Sequence, residues 1–293
     1  MKPHTSPFLA PPEPFADMQD AEVAILPFGY EGGVSYGKGT ARAPLAVLEA
    51  SRQVEFYDYE LDAEPFRVGL ATAAEPAMPG DAEQVPDLVQ GLTEELLSQG
   101  KLVVLLGGDH SISAGYVRAL AGRYHPLGVV QLDAHADLRD TYEGSPLSHA
   151  CAMARIREIT PHTLQIGIRS MSAGEARLIK QDNLAVCTMD QWRRGGFDLV
   201  SALKRLPDKV FITLDVDVFD WSVIASTGTP EPGGLLWHEA LNLLKVVFDT
   251  KEVVGWDVVE LAHNPNDPNS PFAVAKLIYK MIGYKFHRRP GKI

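Results

Sequence analysis

Cysteine is nearly absent, with only Cys151 and Cys187 in 293 residues. That scarcity excludes a disulfide-stapled secreted scaffold, and both residues read as free, packed thiols in a reducing compartment. Long apolar runs are missing as well. No stretch reaches the roughly 18 residues that a membrane helix needs, and the N-terminus has no basic-then-apolar leader. The expectation is a cytoplasmic protein with no membrane partner. Basic charge is in deficit: 27 Lys and Arg face 38 Asp and Glu, for a net charge of −11. A nucleic-acid partner would favour basic patches, so none is expected; a small cationic substrate suits the balance better. No Gly-x-Gly-x-x-Gly follows the first strand-like run, which argues against a dinucleotide cofactor.

Hydrophobic residues make up 45% of the chain, enough for a sizeable core. Residues 1–20 are rich in proline (Pro3, Pro7, Pro11, Pro12, Pro14) and read as an irregular arm suited to contacts between subunits. From residue 21 to 293 a single domain is expected, because strand-like and helix-like stretches alternate without a linker or repeat. Strands are expected at 23–27, 102–106, 129–132, 163–168, 184–188, 210–214 and 253–259. Helices are expected at 43–53, 81–99, 113–123, 148–159, 173–181, 237–248 and 272–282. The β-then-α rhythm predicts one parallel sheet covered on both faces.

Three of the strand-like runs end in clusters of metal-seeking side chains. Leu102-Val103-Val104-Leu105-Leu106 leads into Gly107-Gly108-Asp109-His110. Val129-Val130-Gln131-Leu132 leads into Asp133-Ala134-His135-Ala136-Asp137, and Val210-Phe211-Ile212-Thr213-Leu214 into Asp215-Val216-Asp217. In a parallel sheet all three would end on one edge, where open α/β folds place their ligands. If the backbone stays extended, residues i, i+2 and i+4 share a face; Asp133, His135 and Asp137 then project together, as do Asp215 and Asp217. Four carboxylates meeting there would repel one another without cations. A pair of divalent metals removes that conflict and makes water a nucleophile at neutral pH. A lone Asp-x-Asp at a strand end is more often a capped turn than a ligand pair. It is the recurrence of all three clusters, each after an apolar run, that disfavours a purely structural explanation.

These motifs resemble the signatures of the ureohydrolases, the family of arginase, agmatinase and their relatives. Gly107-Gly108-Asp109-His110-Ser111, Asp133-Ala134-His135-Ala136-Asp137, Asp215-Val216-Asp217-Val218-Phe219-Asp220 and the loop Gly228-Thr229-Pro230-Glu231-Pro232-Gly233-Gly234 carry the likeness. So does Ser35-Tyr36-Gly37-Lys38-Gly39-Thr40-Ala41-Arg42, which is nearer to agmatinases. The resemblance spans about residues 23–283. It implies an α/β fold, a single three-layer αβα domain of the arginase/deacetylase-like type. It also implies two Mn²⁺ per subunit and assembly as a homo-trimer or homo-hexamer. One ion would take His110, Asp133, Asp137 and Asp215; the other would take Asp133, His135, Asp215 and Asp217. His149 would be the proton shuttle, a task that suits a group titrating near neutrality. Glu260 would grip the guanidinium through a bidentate carboxylate.

The implied reaction is hydrolysis of a guanidino group to urea plus an amine. Where arginases hold an α-carboxylate and α-amine, this chain has Leu138-Arg139-Asp140-Thr141-Tyr142-Glu143. That difference favours a decarboxylated substrate, agmatine giving putrescine, with N1-aminopropylagmatine or guanidinobutyrate as alternatives. Arg139, Glu143, Thr229 and Glu260 are the expected substrate contacts, with Arg139 neutralised by Asp140 or Glu143. The family usually has Gly where Ala150 stands, Asp-Pro where Asp220-Trp221 stands and Ala-Pro-Gly where Ala225-Ser226 stands. None of these departures removes a ligand. Two other classes were weighed. Four carboxylates argue against the single zinc of the deacetylases, and intact His149 and Glu260 argue against a non-catalytic metal-binding scaffold.

Overall fold

The computed structural model describes residues 1–287; residues 288–293, the end of the expected domain, lie outside it. Eight strands form one parallel sheet: β1 (Val23–Phe28), β2 (Leu70–Thr72), β3 (Leu102–Gly107), β4 (Gly128–Leu132), β5 (Thr163–Ile168), β6 (Ala185–Thr188), β7 (Lys209–Asp215) and β8 (Glu252–Val259). Their spatial order is β2-β1-β3-β8-β7-β4-β5-β6. The chain builds outward first in one direction and then in the other, and β7 and β8 fill the gap last. The crevice at such a reversal is where α/β sheets bind ligands.

Successive strand residues face opposite sides, and both sides are buried. Val104 and Leu106 of β3 join one apolar core, while Val103 and Leu105 join the other. This is why the strands read as unbroken apolar runs rather than alternating ones. Helices α1 (Ala43–Ser51), α8 (Trp237–Thr250) and α9 (Asn269–Phe286) cover the first face. Helices α2 (Val85–Ser98), α3 (Ser113–Arg123) and α4 (Ala152–Ile159) cover the second. The result is the three-layer αβα architecture expected. No helix among the described residues is long and apolar enough to cross a membrane, and both cysteines are free and buried.

Three elements were not expected: β2, α6 (Met189–Arg193) and α7 (Leu199–Lys204). All are too short to show a period. The two helices are set by their caps instead, with Thr188 accepting the N–H of Gln191 and Asp198 that of Ser201. α5 (Ala173–Gln181) starts in a capping box between Ser172 and Glu175.

Residues 1–20 contain no helix or strand, but the arm packs on its own chain rather than reaching away from it. Phe8 and Leu9 are buried. Their backbone N–H groups donate to Thr72 Oγ1 and Ser51 Oγ, each at 2.8 Å.

Candidate metal centre

Four adjacent central strands, β3, β8, β7 and β4, deliver the site residues at their C-terminal ends. Beyond β3 the chain turns tightly through Gly107-Gly108. A Cβ at Gly108 would collide with the Tyr30 carbonyl, so the close approach of the two chains requires glycine. His110 follows in a 3-10 turn and is fully buried. Its Nδ1 faces three carboxylate oxygens: Asp133 Oδ2 at 3.2 Å, Asp137 Oδ2 at 3.1 Å and Asp215 Oδ2 at 3.4 Å. Its Nε2 lies 2.8 Å from Thr213 Oγ1. When that nitrogen donates to Thr213, Nδ1 is left with the lone pair that a cation needs.

The expected ligands converge, but not by the extended geometry assumed for them. β4 ends at Leu132 and the chain bends at Ala134. Asp137 then adopts a left-handed φ of 52°, a conformation that costs a non-glycine residue about 1–3 kcal/mol and collects at functional sites. That turn, not strand alternation, brings Asp137 back to His110. Asp217 likewise sits in a 3-10 turn, Val216–Val218, whose start is capped by Asp215 Oδ1 accepting the Asp217 N–H at 2.9 Å. His135 Nδ1 lies 2.8 Å from Asp217 Oδ2 and 3.7 Å from Asp133 Oδ1. Two clusters result, His110–Asp133–Asp137 and Asp133–His135–Asp217; within each, the donor atoms lie within 4.8 Å of one another. Asp133 belongs to both, while Asp215 approaches the first through His110.

Burial opposes a charged His135, yet its hydrogen bonds to Asp133 and Asp217 push it up to about 12. His110 is also raised, against burial, by Asp133, Asp137 and Asp215. Burial and then the charge of Asp133 push Asp137 up to about 6. Burial followed by Asp217 and Asp133 holds Asp215 well above the usual carboxylate range. A group raised in this way must give up its proton before it can become a metal ligand. Oxygen donors with one imidazole per cluster suit hard or borderline divalent ions. The buried, unpartnered His110 Nδ1, surrounded by carboxylates, fits such an ion.

A cavity of 260 Å³ opens above the clusters, lined by His135, Asp137, Asp215, His149, Arg139 and Thr229 among others. His149 Nε2 is 2.9 Å from Ser35 Oγ, and its Nδ1 is 3.3 Å from Glu260 Oε1. Glu260 is fully buried at the end of β8, with φ at 65°. Its Oε1 also accepts the His110 N–H at 2.7 Å, whereas Oε2 has no partner. Thr227 Oγ1 donates to the Glu260 carbonyl at 3.0 Å, and Gly37 N–H to the Gly228 carbonyl at 2.9 Å. Two segments far apart in sequence, the Ser35 stretch and the Gly/Pro loop, thus meet at this site.

The expected environment of Arg139 is corrected. Asp140 is engaged by Arg155 at 2.7 Å, and Glu143 is exposed in a left-handed turn outside the cavity lining. Arg139 instead stacks over the Tyr142 ring at 4.8 Å, with Nε 3.8 Å from Glu175 Oε2. Trp221 is exposed and outside the lining.

Several residues with clear roles escaped sequence reasoning. Arg169 donates to the carbonyls of Asp217 at 2.6 Å, Glu231 at 2.8 Å and Pro232 at 3.0 Å, tying the Gly/Pro loop to the turn that carries Asp217. Asp109 is buried and takes the Gly33 N–H at 2.7 Å. Glu175 accepts the Leu138 N–H at 2.9 Å and so holds the loop after Asp137. The one available signal was the Ser172-x-x-Glu175 box. Gln131 and Gln165 were visible only as polar interruptions in apolar strands.

The family model described as "Arginase family" matches residues 21–283. The chain is 42% identical over 286 residues to the N(1)-aminopropylagmatine ureohydrolase of Synechocystis sp., covering 93% of this chain and 92% of that protein. It is 32% identical over 273 residues to the agmatinase of Pyrococcus horikoshii, covering 92% and 94% respectively. The solved agmatine ureohydrolase of Thermoplasma volcanium superposes with a TM-score of 0.88 at 27% identity, covering 98% and 97% of the two chains.

Proposed function

Because the chain belongs to the arginase family, we propose that it hydrolyses a linear guanidino-amine to urea plus an amine, with Mn²⁺ held by His110, Asp133, Asp137, Asp215, His135 and Asp217. The observation that carries this reading is the pair of clusters sharing Asp133 beneath a cavity walled by His149. When bound, a pair of divalent cations lowers the pKa of water toward neutrality and so supplies the nucleophile.

The chain's own groups do the rest. Glu260 Oε2, buried and unpartnered, is an acceptor for an N–H of the planar guanidinium. Burial disfavours the His149 imidazolium, but the Glu260 carboxylate outweighs it and lifts the group to about 9. In the metal-free protein His149 is thus held in its charged form, the form that can give a proton to the departing amine nitrogen. Ser35, at its other nitrogen, fixes the plane of the ring.

Two substrates compete. Relatives named for N(1)-aminopropylagmatine are 42% and 38% identical to the chain, against 32% for the agmatinase of Pyrococcus horikoshii. We therefore place N1-aminopropylagmatine ahead of agmatine, the first choice from sequence. The test is a urea-release panel with the Mn²⁺-loaded protein on N1-aminopropylagmatine, agmatine, arginine and guanidinobutyrate. Urea is expected from the first two, with the higher kcat/KM for N1-aminopropylagmatine. Preference for arginine or guanidinobutyrate, or no urea at all, would refute the reading. Cytoplasmic location, for which the free buried thiols speak, and trimeric or hexameric assembly belong to the same proposal.

A further inference from the structure

Asp133 is the carboxylate common to both clusters, and the protein fixes its rotation from both sides. Oδ1 accepts the backbone N–H of His135 at 2.5 Å. Oδ2 accepts the side-chain amide of Gln131 at 2.6 Å. The two oxygens are thereby separated, Oδ2 facing His110 and Oδ1 facing His135.

A glutamine amide can be turned over, and turned over it would set a carbonyl oxygen against Asp133 Oδ2. What prevents this is one strand away. Gln131 lies on β4 and Gln165 beside it on β5, paired in register; both are buried. Gln165 Nε2 donates to Gln131 Oε1 and, at 2.7 Å, to the Ala136 carbonyl. The Ala136 carbonyl can only accept, so the Gln165 NH₂ must face it. The same NH₂ then claims Gln131 Oε1, which leaves the Gln131 NH₂ for Asp133, with the His135 carbonyl 3.5 Å away. Reversing the pair would oppose acceptors at both ends. The orientation persists although it leaves Gln165 Oε1 buried without a hydrogen-bond partner, which is unfavourable.

We propose that Gln131 and Gln165 form a directional amide relay that sets the rotation of Asp133 and thereby apportions its two oxygens between two cations. Gln165 is a positioning residue. Its hydrogen bonds go to Gln131 and the Ala136 carbonyl, and it acts by dictating which end of Gln131 meets Asp133. The inference rests on the two-cation reading given above.

The experiment is calorimetric titration of the metal-free protein with Mn²⁺, wild type beside Gln131→Met, Gln165→Met and the double variant. Methionine keeps the volume and unbranched shape while removing the amide. Groups that orient metal ligands change affinity by about 10–100-fold when removed. Gln131→Met is expected to weaken Mn²⁺ binding by that much, and Gln165→Met by about tenfold. The double variant should match Gln131→Met, because Gln165 has no route of its own. Gln165→Glu, which keeps the shape and loses the donors, should weaken Mn²⁺ binding at least as much as Gln165→Met and covers the case in which a methionine variant does not fold. Circular dichroism of the metal-free forms checks folding independently of metal. Wild-type Mn²⁺ affinity in the folded Gln165 variants would overturn the relay, as would additive losses in the double variant. If the wild type itself takes no Mn²⁺, it is the two-cation reading that fails.

Discussion

His149 Nδ1 lies 3.3 Å from Glu260 Oε1, the same oxygen that receives the backbone N–H of His110 at 2.7 Å. One buried carboxylate thus joins the His149 imidazole to the turn that follows β3. The left-handed backbone at Glu260 aims it inward.

The charge on His149 depends on that carboxylate. Burial alone would press the imidazole below its free value of about 6.5; Glu260 lifts it to about 9. In the metal-free protein the imidazole should keep its proton at neutral pH and lose it as pH rises through about 9, which an NMR titration follows. His149→Asn should lower kcat by about 10²–10⁴-fold. In metal-free Glu260→Gln, an NMR titration should find the imidazole deprotonating clearly below about 9, with Asp137 and Asp109 still raising it against burial. An unchanged titration would disconnect the two residues.

The cavity wall makes a separate claim. Glu143 is exposed outside the lining, whereas Arg139 lines the cavity with Glu175 and Tyr142. Glu143→Gln should leave KM within about twofold, since isolated exposed charges contribute little. Arg139→Met removes a cation facing a cationic substrate. It should lower KM for agmatine by about two- to fivefold, the scale of a screened charge pair. A higher KM in steady-state assays would mean that Arg139 holds the substrate instead.

How much of this was legible in sequence depends on how far each residue's partner lies. Asp133, His135 and Asp137 stand out because three ligand types recur within one short segment. Their convergence was anticipated for an incorrect reason, since the left-handed turn at Asp137 leaves no trace in strand periodicity. β3, β4 and β7 were readable because both of their faces are buried. β2 was not: its pairing with β1 and its bond to the N-terminal arm are long-range facts. The same holds for Arg169, whose carbonyl partners lie 48 and 62 positions away. Glu175 is similar: its short-range capping box could be read, but its hold on Leu138, 37 residues distant, could not. The Pro-rich composition of residues 1–20 said nothing about Phe8 and Leu9 being buried against the chain's own body.

Six side chains at the C-terminal ends of three strands, β3, β4 and β7, are proposed to hold two cations. The direct measurement is Mn²⁺ bound per chain after reconstitution and removal of free ion, for the wild type and Asp217→Asn. Two ions in the wild type and one in Asp217→Asn, with urea release falling alongside, are what the geometry predicts. A wild type that saturates with one ion or none, or an Asp217→Asn variant that keeps two at undiminished affinity, would contradict it.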